Sequence, residues 1–260
     1  MTVNRSDITD AFRQCGVGPG DMLMLHSDAL VLAQLPQMSD QERYQALFDS
    51  LADVLGPEGT LVVPAFTYSF CSDETFDPRQ SPSTVGVLTE YFRRLPGVVR
   101  TPDPLFSVAV RGPLANDFAA ASPLDCFSEN SIFGMLARHD AHIACLGCGF
   151  DRITFVHYVE QSAGVDYRYH KTFSGRIVDD DGPRQMSVRY LVRDLDRDAV
   201  TDTTRLKKRL ADQGLLQEAP VGRVGLSIVR AQAFYRHGRA LLDEDPAALI
   251  REGRQTGNGA

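Results

Sequence analysis

The pattern of apolar residues predicts an α/β fold built as one domain over residues 1–254. Three observations predict it. Short apolar runs of strand length recur at Met22–His26, at TLVVPAF from Thr60 and at Ala141–Leu146. Segments with apolar residues at helical offsets stand between them, and glycine–proline turns such as Gly18-Pro19-Gly20 and Gly56-Pro57-Glu58-Gly59 join the two kinds. A chain of 260 residues, 43% of them hydrophobic, can bury one sizeable core.

Taken in order, Ser6 is placed to cap a first helix over 7–15, where Ile8, Ala11 and Phe12 share a face and Gly16 supplies the stop. Met22–His26 then reads as a buried strand ending in polar residues, the form that places a functional loop at its carboxyl end. A helix over Asp40–Leu55 and the strand from Thr60 repeat the unit. Thr84 can cap a helix in VGVLTEYFRRL, and the prolines of VVRTPDPLFSVAVRG keep that stretch extended. Ser131–Arg138 predicts a short helix. Asp151–Ala163 predicts another, with Ile153, Val156, His157 and Glu160 at helical offsets. SGRIVDDDGPRQMSVRYLV reads as a hairpin, two helices and a short strand finish the fold, and 255–260 has the composition of a flexible C-terminal tail.

Bulk properties exclude several classes of function. With 27 Lys+Arg against 34 Asp+Glu the net charge is −7, which disfavours nucleic acid or an anionic membrane surface as partner. The N-terminus lacks the apolar core of a signal peptide and no run approaches the ~18 apolar residues of a membrane span, so a cytoplasmic protein is expected. Five cysteines in a chain of this size read as reduced thiols. Cys145 and Cys148 have a suggestive spacing, but nothing completes a zinc site and no metal is expected.

Several segments together resemble the aminoglycoside 3-N-acetyltransferase family: LMLHSDAL, GTLVVPAFTYSF, STVGVLTEYFRRLPGVVRT, SIFGMLARHDAHIACLGCGF and TFVHYVEQ, in family order over most of residues 16–175. The resemblance implies a central mixed β-sheet flanked by helices, and acetyl-CoA or another acyl-CoA as co-substrate in direct transfer to an amine. It places His26, His157 and Glu160 at the reaction centre. Two departures bear on the acceptor. Arg100 to Ser107 carries Asp103 where antibiotic-modifying members have histidine, and VDYRYHKTFSG looks like shorter members that acylate nucleotide-linked amino sugars. The preferred acceptor is therefore an amino sugar linked to a nucleotide, with an aminoglycoside antibiotic as the alternative.

The chemistry asks for specific groups. A sugar amine is mostly protonated near neutral pH, so a base must take a proton before the nitrogen can attack; histidine, with an ordinary pKa near 6.5, suits that work. Glu160, three residues beyond His157, can orient the ring or meet the substrate ammonium. Ser27, Ser107 and the Thr84-Val85-Gly86 segment are candidate donors to the oxyanion or contacts to the cofactor, against ordinary hydrogen bonding and capping. Asp103, Arg168 and Lys171 are candidate substrate contacts, against a turn residue and two solvated loop charges. Two readings of other classes remain: a hydrolase using Cys145 or Cys148 activated by His157, and a binding protein that has lost activity. A homodimer is the expected assembly if there is one.

Overall fold

A computed structural model describes residues 2–179, 181–197 and 199–252; the expected tail over 255–260 lies outside the described residues. Helix α1 (Arg5–Gln14) is capped by Asn4, not Ser6. Asn4 Oδ1 accepts the Asp7 N–H at 3.1 Å while Asp7 Oδ2 accepts the Asn4 N–H at 2.8 Å. The reciprocal cap needs an acid three residues on, and Asp7 supplies it to Asn4 alone. Strand β1 (Met22–Ser27) follows, then α2 (Asp40–Leu55), capped by the same device between Ser39 and Glu42, and β2 (Thr60–Pro64).

Helix α3 (Val87–Phe92) is shorter than expected, and Thr84 does not cap it. Strands β3 (Val99–Arg100) and β4 (Val108–Arg111) flank the proline-rich turn, and α4 (Ala115–Ala120) follows unforeseen. Ser131 caps α5 (Ile132–Arg138), which leads into β5 (His142–Leu146). Helix α6 (Val156–Ala163) begins later than expected, because Phe150–Arg152 form a separate 3₁₀ turn. Strands β6 (Arg168–Asp179) and β7 (Gly182–Arg193) make a hairpin six residues earlier than its sequence suggested. The chain continues through β8 (Ala199–Thr201), α7 (Thr204–Asp212), the unforeseen hairpin β9 (Leu216–Val221) and β10 (Val224–Arg230), α8 (Ala231–Glu244) and β11 (Ile250–Glu252).

The main sheet has seven strands in the order β3-β4-β2-β1-β5-β10-β9. It is mixed: β1 runs parallel to β2 and β5, and the outer pairings are antiparallel. Both faces are covered, so alternate residues of β1 enter opposite cores. Leu23 and Leu25 join the core under α1 and α2, whereas Met22 and Met24 join the one under α5, α6 and α8. His26, two residues beyond Met24, takes the α6 side.

Candidate active site

Strands β1 and β5 place His26 beside Cys145 in register, at the carboxyl ends of two central parallel strands. Gly147, at φ 73°, then turns the chain out of the sheet in a conformation that a side chain would disfavour, and the 3₁₀ turn delivers it to α6. No side chain caps α6 locally. Instead His26 Nε2 accepts the Thr154 N–H at 3.4 Å, tying the strand end to the approach of that helix. His26 is 7% exposed, and burial pushes its pKa down to about 4 against a smaller opposing pull from the Ala144 carbonyl. Among the described residues its Nδ1 finds no hydrogen-bond partner. The structure thus places His26 beneath the helix, tied to its approach through Thr154.

His157 lies on the first turn of α6 with its side chain 18% exposed. Its ring meets Phe127 edge-on at 5.3 Å, and Nδ1 lies 2.6 Å from Glu160 Oε2. Glu160 is fully buried. A buried carboxylate needs compensation, and Glu160 has three partners: His157, the Tyr167 hydroxyl, which donates to Oε1 at 3.1 Å, and Arg168, whose Nε stands 2.7 Å from Oε2. With Nδ1–H committed to the carboxylate, Nε2 is the free nitrogen of a half-open ring. Glu160 is sealed from solvent and its contact with the ring is the one suited to orienting the imidazole.

Arg168 is not a surface contact. Its side chain is 5% exposed and is engaged by Glu160 and by Thr201 Oγ1, to which it donates at 2.9 Å. Lys171, on the exposed stretch of β6, lies over the Phe173 ring at 4.8 Å and away from Glu160's circle of partners. Asp103 is sealed in the turn between β3 and β4, where its Oδ1 accepts the Leu105 and Phe106 N–H groups, each at 2.8 Å. Burial raises its pKa to about 6 in spite of those donors and the Cys126 thiol. It is a turn residue, not a substrate contact, because its carboxylate faces its own loop.

The expected oxyanion and cofactor groups divide. Ser107 is buried and donates to the Ala65 carbonyl at 2.7 Å while accepting from Arg100 Nε at 3.1 Å, so it is spent inside the protein. Both the amide and the hydroxyl of Thr84 go to the Phe66 carbonyl, at 2.9 and 3.1 Å. That leaves the exposed Val85 and Gly86 backbone beside an open depression of about 880 Å³ between α2 and α3, lined also by Tyr44, Tyr91 and Arg94. Ser27 closes β1, half-buried, next to His26. The segments are linked by contiguous rings: Phe66 on Phe106, Phe106 on Phe127, and Phe127 on His157. Of the two candidate cysteines, Cys145 is buried and its thiol is pushed up by its neighbour Cys148 and by burial, whereas Cys148 is half-buried and pushed down by its hydrogen bond with Cys145.

Tyr167, Thr201 and Phe127 are the site residues that sequence reasoning missed. Tyr167 lies in the segment VDYRYHKTFSG, where only its burial against Glu160 separates it from the exposed Tyr169 two residues on.

Residues 24–243 match the family model described as aminoglycoside 3-N-acetyltransferase. Aminoglycoside N(3)-acetyltransferase IV of Salmonella sp is 30% identical over 255 residues, covering 95% of this chain and 90% of that one. Aminoglycoside N(3)-acetyltransferase IX of Micromonospora chalcea is 26% identical over 196 residues, 68% of each chain. Among solved structures, the apoenzyme of aminoglycoside acetyltransferase AAC(3)-IVa superposes with a TM-score of 0.79 at 28% identity, covering 99% of this chain and 94% of that one. The preference for a nucleotide-linked acceptor is thereby corrected: these relatives are named for aminoglycosides, and two of the residues behind that preference, Asp103 and Arg168, are turned inward.

Proposed function

We propose that this chain, which belongs to the aminoglycoside 3-N-acetyltransferase family, moves an acetyl group from acetyl-CoA to an amino group of an aminoglycoside, with His157 as general base. It is an acyl-CoA-dependent N-acyltransferase, and acetyl-CoA is its co-substrate. The observation that carries the reading is a half-open imidazole whose inner nitrogen is held 2.6 Å from a fully buried carboxylate. That arrangement favours the tautomer with the proton on Nδ1, leaves the lone pair on Nε2 and stabilises the ring once it gains a proton.

The donor supplies a carbonyl already activated by its sulfur. The acceptor nitrogen reacts as the neutral amine, its ammonium proton having gone to solvent; His157 Nε2 takes a second proton from it as the new N–C bond forms and passes that proton to the departing thiolate as the C–S bond breaks. Glu160 neither attacks nor binds; it holds Nδ1–H through the transfer. The exposed backbone at Val85 and Gly86, at the start of α3, is the segment we assign to the acyl donor; the Val85 N–H already donates to Ser83 Oγ at 3.4 Å, so the Gly86 N–H is the donor on which the assignment rests. A solved relative of 28% identity is a histidine-to-alanine variant bound to gentamicin, which supports an aminoglycoside acceptor for this fold.

The test is thiol release from acetyl-CoA with apramycin, gentamicin and a nucleotide-linked amino sugar as acceptors. Wild type should turn over an aminoglycoside, and His157→Ala should lose about 10²–10⁴-fold in kcat with KM little changed. Equal rates for wild type and His157→Ala would remove the base from the mechanism. Turnover of the nucleotide sugar alone would reinstate the other acceptor.

A further inference from the structure

Glu160 Oε2 serves two nitrogen donors at once: His157 Nδ1 at 2.6 Å and Arg168 Nε at 2.7 Å. The N–H of Arg168 Nε is angled off the line to that oxygen, so the contact is charge on charge and not a well-formed hydrogen bond. The far end of the guanidinium is anchored by Thr201 on β8, a strand that pairs with β11; Ala199 of β8 and Ile250 of β11 cluster with Tyr167. Nothing in the resemblance that located His157 and Glu160 assigned Arg168 to them.

We propose that Arg168 is a positioning residue that sets the pH range over which His157 can act, by sharing Glu160 with it. The inference rests on the reading of His157 as base. Its physical basis is the net charge of a buried cluster. With Arg168 present, the cluster carries no net charge when the imidazole is neutral and one positive charge when it is protonated. Without Arg168, the same two states carry one negative charge and none. With the carboxylate and guanidinium both buried, the cluster favours whichever state is uncharged, so Arg168 favours the ring that is ready to accept a proton, and its loss favours a ring already carrying one. Because the imidazole and the carboxylate are in contact, this holds for the pair whatever the placement of the proton between them.

The other titratable groups around the cluster do not perform this task. The Tyr167 phenol stays a neutral donor, its pKa raised first by burial and then by Glu160. Asp166 is paired with Arg197 at 3.0 Å, and Asp125 with Arg189 and with Gln161 at the next turn of α6. Tyr190 of β7 is likewise pushed up by burial, and Arg239 of α8 is bonded to the Ser162 carbonyl. Among the described residues only Tyr167 shares the Glu160 oxygens with His157 and Arg168.

The experiment measures kcat and KM for acetyl-CoA and apramycin in wild type, Arg168→Gln and Arg168→Lys, from about pH 5.5 to about pH 9. In Arg168→Gln the acid limb of kcat/KM should move up by about one pH unit, with KM within about threefold of wild type. Arg168→Lys keeps the charge and should return the limb to its wild-type position. An unmoved limb in the neutral variant overturns the proposal. So does a tenfold or greater rise in either KM, which would make Arg168 a substrate contact. If the neutral variant does not fold, Thr201→Val loosens the guanidinium without removing it; the limb should still move upward at unchanged KM, and a limb that stays in place overturns the proposal equally. His157→Ala separates the two claims. If it is inactive while the limb of the Arg168 variant is fixed, only the role of Arg168 fails; if it is active, the base itself is wrong.

Discussion

Asp103 and His26 are both sealed from solvent, and burial moves them so that their effects on stability oppose each other. The Asp103 carboxyl, raised to about 6, stabilises the fold below its ordinary value of 3.8, and that contribution is lost as pH rises through 6. The His26 ring, lowered from 6.5 to about 4, contributes stability that is whole above 6.5 and is lost as pH falls through 4. Each amounts to something on the order of 3 kcal/mol across its window, and between pH 4 and 6 the two slopes have opposite sign. Removing either exposes the other. Asp103→Asn should lose stability on acidification more steeply than wild type, and His26→Asn less steeply, as read from urea midpoints at several pH values. Parallel curves for all three proteins would show that neither group titrates as described.

Helices α5 and α6 show how differently two short helices can be started. Ser131 caps α5 with its own hydroxyl, accepting the Phe133 and Gly134 N–H groups at 3.2 and 3.4 Å. Gly134 is in a helix for a reason of packing: a Cβ there would fall 2.0 Å from the Glu129 carbonyl oxygen. Gly134→Ala should therefore destabilise the protein by about 1–3 kcal/mol, although alanine is the better helix former by about 1 kcal/mol. Chemical denaturation measures it, and a gain in stability would mean that the 121–131 loop yields freely. Helix α6 has no such local start, and its position depends on the tether from His26 on another strand.

Helix α8, from the far end of the chain, packs against α6 and holds it over the sheet. Phe234 is fully buried with its ring 5.7 Å from both Phe150 and Phe155, the residues that bracket the approach to His157. Phe234→Ala should cost about 3–5 kcal/mol and lower the melting temperature by roughly 10 °C. Because the cavity opens beneath α6, kcat should also fall at temperatures where the variant is still folded. A variant that melts early yet keeps full activity when folded would show that α6 is held in place without α8.

The sequence by itself determined the α/β class and most of the first six helices and strands, because these depend on local periodicity and caps; His157 and Glu160 were singled out by the family resemblance, and their spacing of three puts them on one side of one helix. It also contained the chain order of the family. Only the tertiary structure decided what each candidate does. Arg168 and Asp103 look like free charges in a linear chain, and whether they face water or a buried partner depends on which strands lie beside them. Glu160 is a solvated acid or an orienting one according to burial, which is set by Tyr167, Arg168 and the β8–β11 pair contributed by residues up to 252. Periodicity reports which side of an element is apolar; it does not report which distant element will cover it, and the strength of a charge depends on that cover.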